Sequence, residues 1–91
     1  MISLEETKGY LRIDHDLEDA LIQGMIKAAE ELVESVLRFP LSEYELDIPE
    51  TVKQTVFYVV SQLYEQRDSL DMRRLIESVS RILFAYRREG F

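Results

Sequence analysis

The sequence predicts an all-α protein, a compact bundle of about four helices with a connector loop between the second and the third. Apolar residues recur at spacings of three and four over residues 17–38 and 72–86, the period of a helix with one buried face. Only 3 Gly and 2 Pro occur among 91 residues, too few turn-formers for the many short strands of an all-β fold. The length suits a single domain, residues 1–91, and leaves no room for a second core.

The first helix is predicted to open at Ser3, with Glu6 three residues on, the spacing of a capping box. It ends near Arg12 and is too short to hold without docking on its neighbours. The second runs from Leu17 to about Arg38, with Asp16 as N-cap and Glu18 and Asp19 facing the positive end of the helix dipole. Its core stripe is predicted as Leu21, Met25, Ala28, Ala29, Leu32, Val33 and Val36, with Lys27, Glu30, Glu31 and Glu34 opposite. Gly24 inside it predicts a close approach by another backbone.

Residues 39–48 lack a helical stripe and are expected to be a connector pinned by Leu41, Tyr44, Leu46 and Ile48. Pro49 fits the first position of the third helix, where its missing N–H is harmless. That helix carries Val52, Val56, Phe57, Val59, Val60, Leu63 and Tyr64, a wider apolar arc than one core-facing stripe needs. Ser69 or Asp71 caps a fourth helix through Met72, Leu75, Ile76, Val79, Ile82, Leu83 and Tyr86, with Phe84 off the stripe.

Hydrophobic residues make up 46% and charged residues 32%, values of a globular rather than a disordered chain. The net charge of -7 is segregated: residues 1–50 hold 13 acidic and 4 basic side chains, residues 51–91 hold 5 and 7. An acidic first half opposes wrapping of nucleic acid, which needs clustered Lys and Arg against phosphate. The absence of cysteine excludes disulfides and thiol catalysis, and a single His excludes a two-histidine zinc site. No segment resembles a signal peptide, and no apolar run approaches the roughly 20 residues of a membrane span.

Asp14, His15, Asp16, Glu18 and Asp19 form the one cluster that invites a metal or acid–base reading. Counted from Asp14 as a calcium loop, the sixth position is Asp19 and the twelfth is Met25, where Gly and Glu are required. Helix capping explains these carboxylates better. His15 has no nucleophile motif to serve, and Gly9, Gly24 and Gly90 stand apart, so no phosphate loop exists. No catalytic, cofactor or metal residue is expected, and no cofactor.

The segment Ile2-Ser3-Leu4-Glu5-Glu6-Thr7-Lys8-Gly9-Tyr10-Leu11-Arg12-Ile13-Asp14 is followed in order by Asp16 to Ile22 and Ala28-Ala29-Glu30. Later come Ile48-Pro49-Glu50-Thr51-Val52-Lys53 and Leu63-Tyr64-Glu65-Gln66-Arg67. This order resembles the gp6-like head–tail connectors of tailed phages and prophages over nearly the whole chain. Two places depart from the family pattern: Leu37-Arg38-Phe39-Pro40 after the second helix, and Ala85 before Tyr86-Arg87.

The resemblance implies a non-enzymatic subunit of a homo-oligomeric ring that joins the portal of the head to a tail-completion protein. Double-stranded DNA would pass through the channel without tight binding, and the protein would reside in the virion after a stage in the host cytoplasm. Glu30, Glu31 and Glu34 are the expected channel-facing acids, since like charge keeps passing phosphates from sticking. Phe57, Tyr64, Phe84, Arg81 and Arg87 are the expected interface between subunits, a basic C-terminal face meeting an acidic N-terminal one. Two other functions fit such a chain, a small helical DNA-binding regulator and an acidic DNA mimic. A regulator would need a helix face of Arg, Lys, Asn or Gln, for which the third helix offers Lys53, Gln54 and Gln62.

Overall fold

Among the described residues four α-helices make the fold: α1 (Leu4–Leu11), α2 (Asp19–Leu37), α3 (Glu50–Glu65) and α4 (Met72–Ile82), with a short 3-10 turn at Leu41–Tyr44. The computed structural model describes residues 2–66 and 68–88, and no strand occurs among them. The predicted all-α class and element order are those observed.

Helix α1 is capped by Ser3, whose hydroxyl oxygen accepts the Glu6 N–H at 3.0 Å and donates to the Glu6 carboxylate at 3.2 Å. The helix stops at Arg12, in the left-handed region at φ 61°, where the Ile13 N–H closes back on the Lys8 carbonyl at 2.9 Å. Eight residues cannot sustain a helix alone, and the Tyr10 ring accordingly stacks on Phe57 of α3, centroids 5.3 Å apart.

Helix α2 starts later than predicted, at Asp19, and Asp16 is not its cap. The Lys8 ammonium takes both carboxylates, Asp16 and Asp19, each at 2.8 Å. An ion pair between segments thus outcompetes local capping, and Leu17 is left 89% exposed. The buried stripe is also offset: Ile22, Ile26, Ala29, Val33 and Leu37 face the core, while Leu21 is 38% exposed, Ala28 is exposed, and Met25, Leu32 and Val36 sit at the edge. The apolar arc of α2 is broader than the surface α3 can cover, and α3 takes the side that carries the two isoleucines. Gly24 has no neighbouring atom within 4 Å of where a Cβ would stand, so no backbone approaches it inside the protomer.

The connector is held by its own ends. Leu41 is fully buried, and its N–H donates to the Glu34 carboxylate at 2.8 Å. Leu46 does not pin the loop as predicted; it is fully exposed on a turn closed by Asp47 N–H on the Tyr44 carbonyl at 3.0 Å. Glu45 in that turn has φ 58° and ψ -119°, a conformation that favours glycine.

Helices α1 and α4 each pack on both α2 and α3, so that α3 is covered by all three other helices. Its wide apolar arc is therefore consumed within the protomer: Val52, Val56, Val59 and Val60 are fully buried. Thr55 and Ser61, also buried, donate their hydroxyls to the Thr51 and Tyr58 carbonyls at 2.7 Å, so neither burial strands a polar group. The hydroxyl of Tyr64, near the end of α3, donates to Glu18 at the start of α2, so these two helices run antiparallel.

Helix α4 is capped by Asp71, which accepts the Arg74 N–H at 3.2 Å. Leu75, Val79 and Leu83 are buried, whereas Met72, Ile76 and Ile82 lie at the exposed margins of the predicted stripe. After α4 the chain turns, and the Arg88 N–H donates to the Leu37 carbonyl at 2.8 Å, fastening it beside the C-terminal end of α2.

Candidate assembly surfaces

The three glutamates of α2 do not form one free row. Glu30 is half-buried and accepts the Ile2 N–H at 3.2 Å, and Glu34 is half-buried on the Leu41 N–H. Both anchor a neighbouring chain segment with one carboxylate oxygen. Glu31, exposed, lies on the far side of Lys27 from them, since residues advance about 100° around a helix.

The five residues expected at a subunit interface separate as well. Phe57 is 5% exposed and spends its ring on Tyr10, so it belongs to the core and not to a docking face. The α1–α3 contact needs an aromatic there, and the wide arc of α3 gives no sequence sign of which edge is covered. Tyr64 is half-buried on Glu18. Phe84 is 60% exposed, with the Arg87 guanidinium 4.9 Å from its ring centroid, and Arg81 is exposed close by in sequence. Arg88 is tied to the connector by an ion pair with Glu43 and by its position 4.6 Å over the Phe39 ring. Phe84, Arg81 and Arg87 thus form a basic, partly aromatic end of the molecule, with the first two exposed.

A groove between α2 and α3 escaped the sequence reading. It is lined by Ala20, Leu21, Gly24, Met25, Ala28 and Leu63 and encloses about 410 Å³. Small residues at 20, 24 and 28 form its floor, one per helical turn, and their spacing is the same as that of core positions.

The acidic cluster at the start of α2 has structural employment. Hydrogen bonding to Lys8 holds the Asp16 carboxyl below the usual carboxylate range, and Asp16 and Asp19 together raise the Lys8 ammonium above the usual lysine value. His15 accepts the Leu17 N–H at 3.3 Å through Nδ1. Among the described residues no group of three or more His, Cys, Asp or Glu side chains could hold a metal ion. No helix among them is long and apolar enough to cross a membrane.

Two of the three polar residues of α3 that a DNA-reading helix would need, Lys53 and Gln54, are engaged within the protomer. The Lys53 ammonium pairs with Glu6 at 3.1 Å, which lowers the Glu6 carboxyl below its ordinary value, and Gln54 donates to Glu50 at 2.9 Å.

Compared with known families, residues 1–89 match the model of the phage gp6-like head–tail connector proteins. Neither the curated proteins nor the solved structures compared with the chain yield a match.

Proposed function

The chain belongs to the phage gp6-like head–tail connector family, and from that premise we propose that it is the repeating subunit of a homo-oligomeric ring between portal and tail. The family is a structural one, and its place is in the virion. The ring contacts the portal protein on one side and a tail-completion protein on the other, and each subunit passes through the host cytoplasm before assembly.

The observation that carries this reading is the family match along nearly the whole chain. Two features support it. The protomer leaves unlike surfaces exposed, an apolar groove on α2 and α3 and a basic aromatic end after α4. Charge is also segregated, with the acidic side chains concentrated in residues 1–50. Unlike surfaces that meet copy after copy generate a ring when the rotation closes.

Viral DNA passes through the channel without being gripped. The flank of α2 that carries Glu30 and Glu34 lines it, with Glu31 at its margin, and presents negative charge to phosphate. Light scattering and electron microscopy across a concentration series, with and without the portal, test the ring. A protein that stays monomeric at millimolar concentration and on the portal rules it out. The channel assignment has its own check: in a gel-shift titration, duplex DNA should be bound poorly at physiological salt. Tight, salt-sensitive binding would overturn it, because that is the signature of clustered basic contacts.

A further inference from the structure

We propose that the α2–α3 groove of one copy receives Phe84 of the next copy, with Arg81 of the incoming copy paired to Glu31 beside the groove. This rests on the ring reading and names the two surfaces that would build it.

Four observations converge. The groove is apolar and is filled by no side chain among the described residues, with Leu21 and Ala28 exposed along it. Gly24 sits at its centre, yet nothing inside the protomer requires a glycine there, since a Cβ would meet no atom within 4 Å. A residue without a side chain in mid-helix opens room for something that approaches from outside. Phe84, in turn, is a large apolar ring held 60% exposed and backed by a guanidinium.

Charge decides which exposed apolar residue fits the groove. Glu31 lies one turn beyond Ala28 on the same side of α2 and forms no ion pair among the described residues. Leu46 is the most exposed candidate, but it stands among Glu43, Glu45 and Asp47 and would bring like charges to Glu31. Phe84 instead arrives with Arg81, from a helix that carries three arginines against one glutamate. Lys27 also borders the groove, one turn after Gly24, so the match is between Glu31 and Arg81 and not between whole faces.

Placement makes the contact head-to-tail. The groove lies along the first half of α2, beside Leu63 near the end of α3. Phe84 lies at the other end, because Arg88 is bonded to Leu37 and Ile82 borders Glu50 and Gln54 at the start of α3. Each added copy then leaves one groove and one Phe84 open for the next.

The chain has no cysteine, so single thiols report proximity without background. Ala28→Cys marks the groove and Ala85→Cys marks the Phe84 turn; both positions are exposed, and circular dichroism checks that the variants keep their helices. With a short bis-maleimide, an equal mixture of the two variants should give a cross-linked dimer that neither gives alone. The double variant should give a ladder of multimers, and adding Phe84→Ala should abolish both products. Homodimers of Ala85→Cys alone, a double variant that stops at a closed dimer, or no mixed product at millimolar concentration each overturn the proposal. If wild-type protein assembles by light scattering while the mixture gives no product, the ring stands and this contact falls. If wild-type protein stays monomeric at millimolar concentration and on the portal, and the mixture of variants gives no product, both fall.

Discussion

Gly24→Ala should stabilise the isolated protomer while weakening its assembly. In the middle of a helix Gly is less favourable than Ala by about 0.8–1.0 kcal/mol, through lost backbone entropy. A clash would cancel that gain, but here a Cβ meets no atom within 4 Å and the backbone is helical. The full propensity difference should therefore appear as stability. For a domain of this length, 1 kcal/mol raises the melting temperature by roughly 4–8 °C. Urea and thermal unfolding followed by far-ultraviolet circular dichroism at micromolar concentration read this directly. The same methyl narrows the groove floor, so light scattering at millimolar concentration should show less association than wild type. A stability loss, or a gain below about 0.3 kcal/mol, would mean that the site is not open as described. Stabilisation with undiminished association would mean that the partner does not approach Gly24.

Two further outcomes follow from burial and from charge. Leu37→Ala, at a position with no exposed surface, should cost about 2–5 kcal/mol in urea unfolding, whereas Leu46→Ala should stay within about 0.5 kcal/mol of wild type; similar losses at both sites would refute the assignment of Leu46 to an exposed turn. The Asp16 and Glu6 carboxyls are held below their ordinary values by Lys8 and Lys53, so their contribution is present above the unfolded-state value and is lost as pH falls through the lowered folded-state value. Stability should thus decline on acidification below the usual carboxylate range, and less steeply in a Lys8→Met, Lys53→Met double variant; equal slopes would refute the pairing. The effect is small, since these pairs are exposed and screened by salt.

The parts of the fold legible in the sequence were those fixed by local chemistry. Ser3, Asp71 and Pro49 bound their helices close to where the sequence places them, because capping and proline geometry act within one turn. The start of α2 was not legible. Asp16 is as good a cap as any by type, and only the folded chain brings the Lys8 ammonium near enough to claim it. The exposure of Leu46 was hidden for a similar reason: an apolar residue in a loop looks like an anchor until the turn at Glu45 points it outward. Phe57 and Phe84 show the same limit from opposite sides. Both lie among apolar neighbours in sequence, and only the placement of α1 buries the first, while the second stays 60% exposed with the Arg87 guanidinium on its ring.

The displaced stripe of α2 has a cause of a different kind. A helix that serves one interface carries one apolar face, and its period locates the centre of that face. Helix α2 carries apolar residues over an arc of about half its circumference, from Ala28 and Leu21 through Met25 and Ala29 to Ile26 and Leu37. The centre of such an arc lies near Met25, and the predicted stripe was centred there. In the fold, however, Ile22, Ile26 and Val33 turn to α3, and Leu21, Gly24 and Ala28 are left over on one side. Two narrower faces, set side by side, have the sequence signature of one broad face. A monomeric protein would be expected to make the outer face polar, as α2 does on its Lys27 and Glu34 side. Keeping it apolar, with small residues at 20, 24 and 28, is intelligible if a second surface closes over it. The mismatch between the expected and the observed stripe is thus what the proposed assembly would leave in the sequence. It can be examined apart from any cross-link: Leu21→Lys with Ala28→Lys should leave the protomer's melting temperature nearly unchanged and abolish association. The same pair of charges placed at Ile22 and Ala29 should unfold the protein, because an unpaired charge cannot be buried in the core. If both pairs unfold it, the outer face belongs to the core after all, and the two-face account of α2 is wrong.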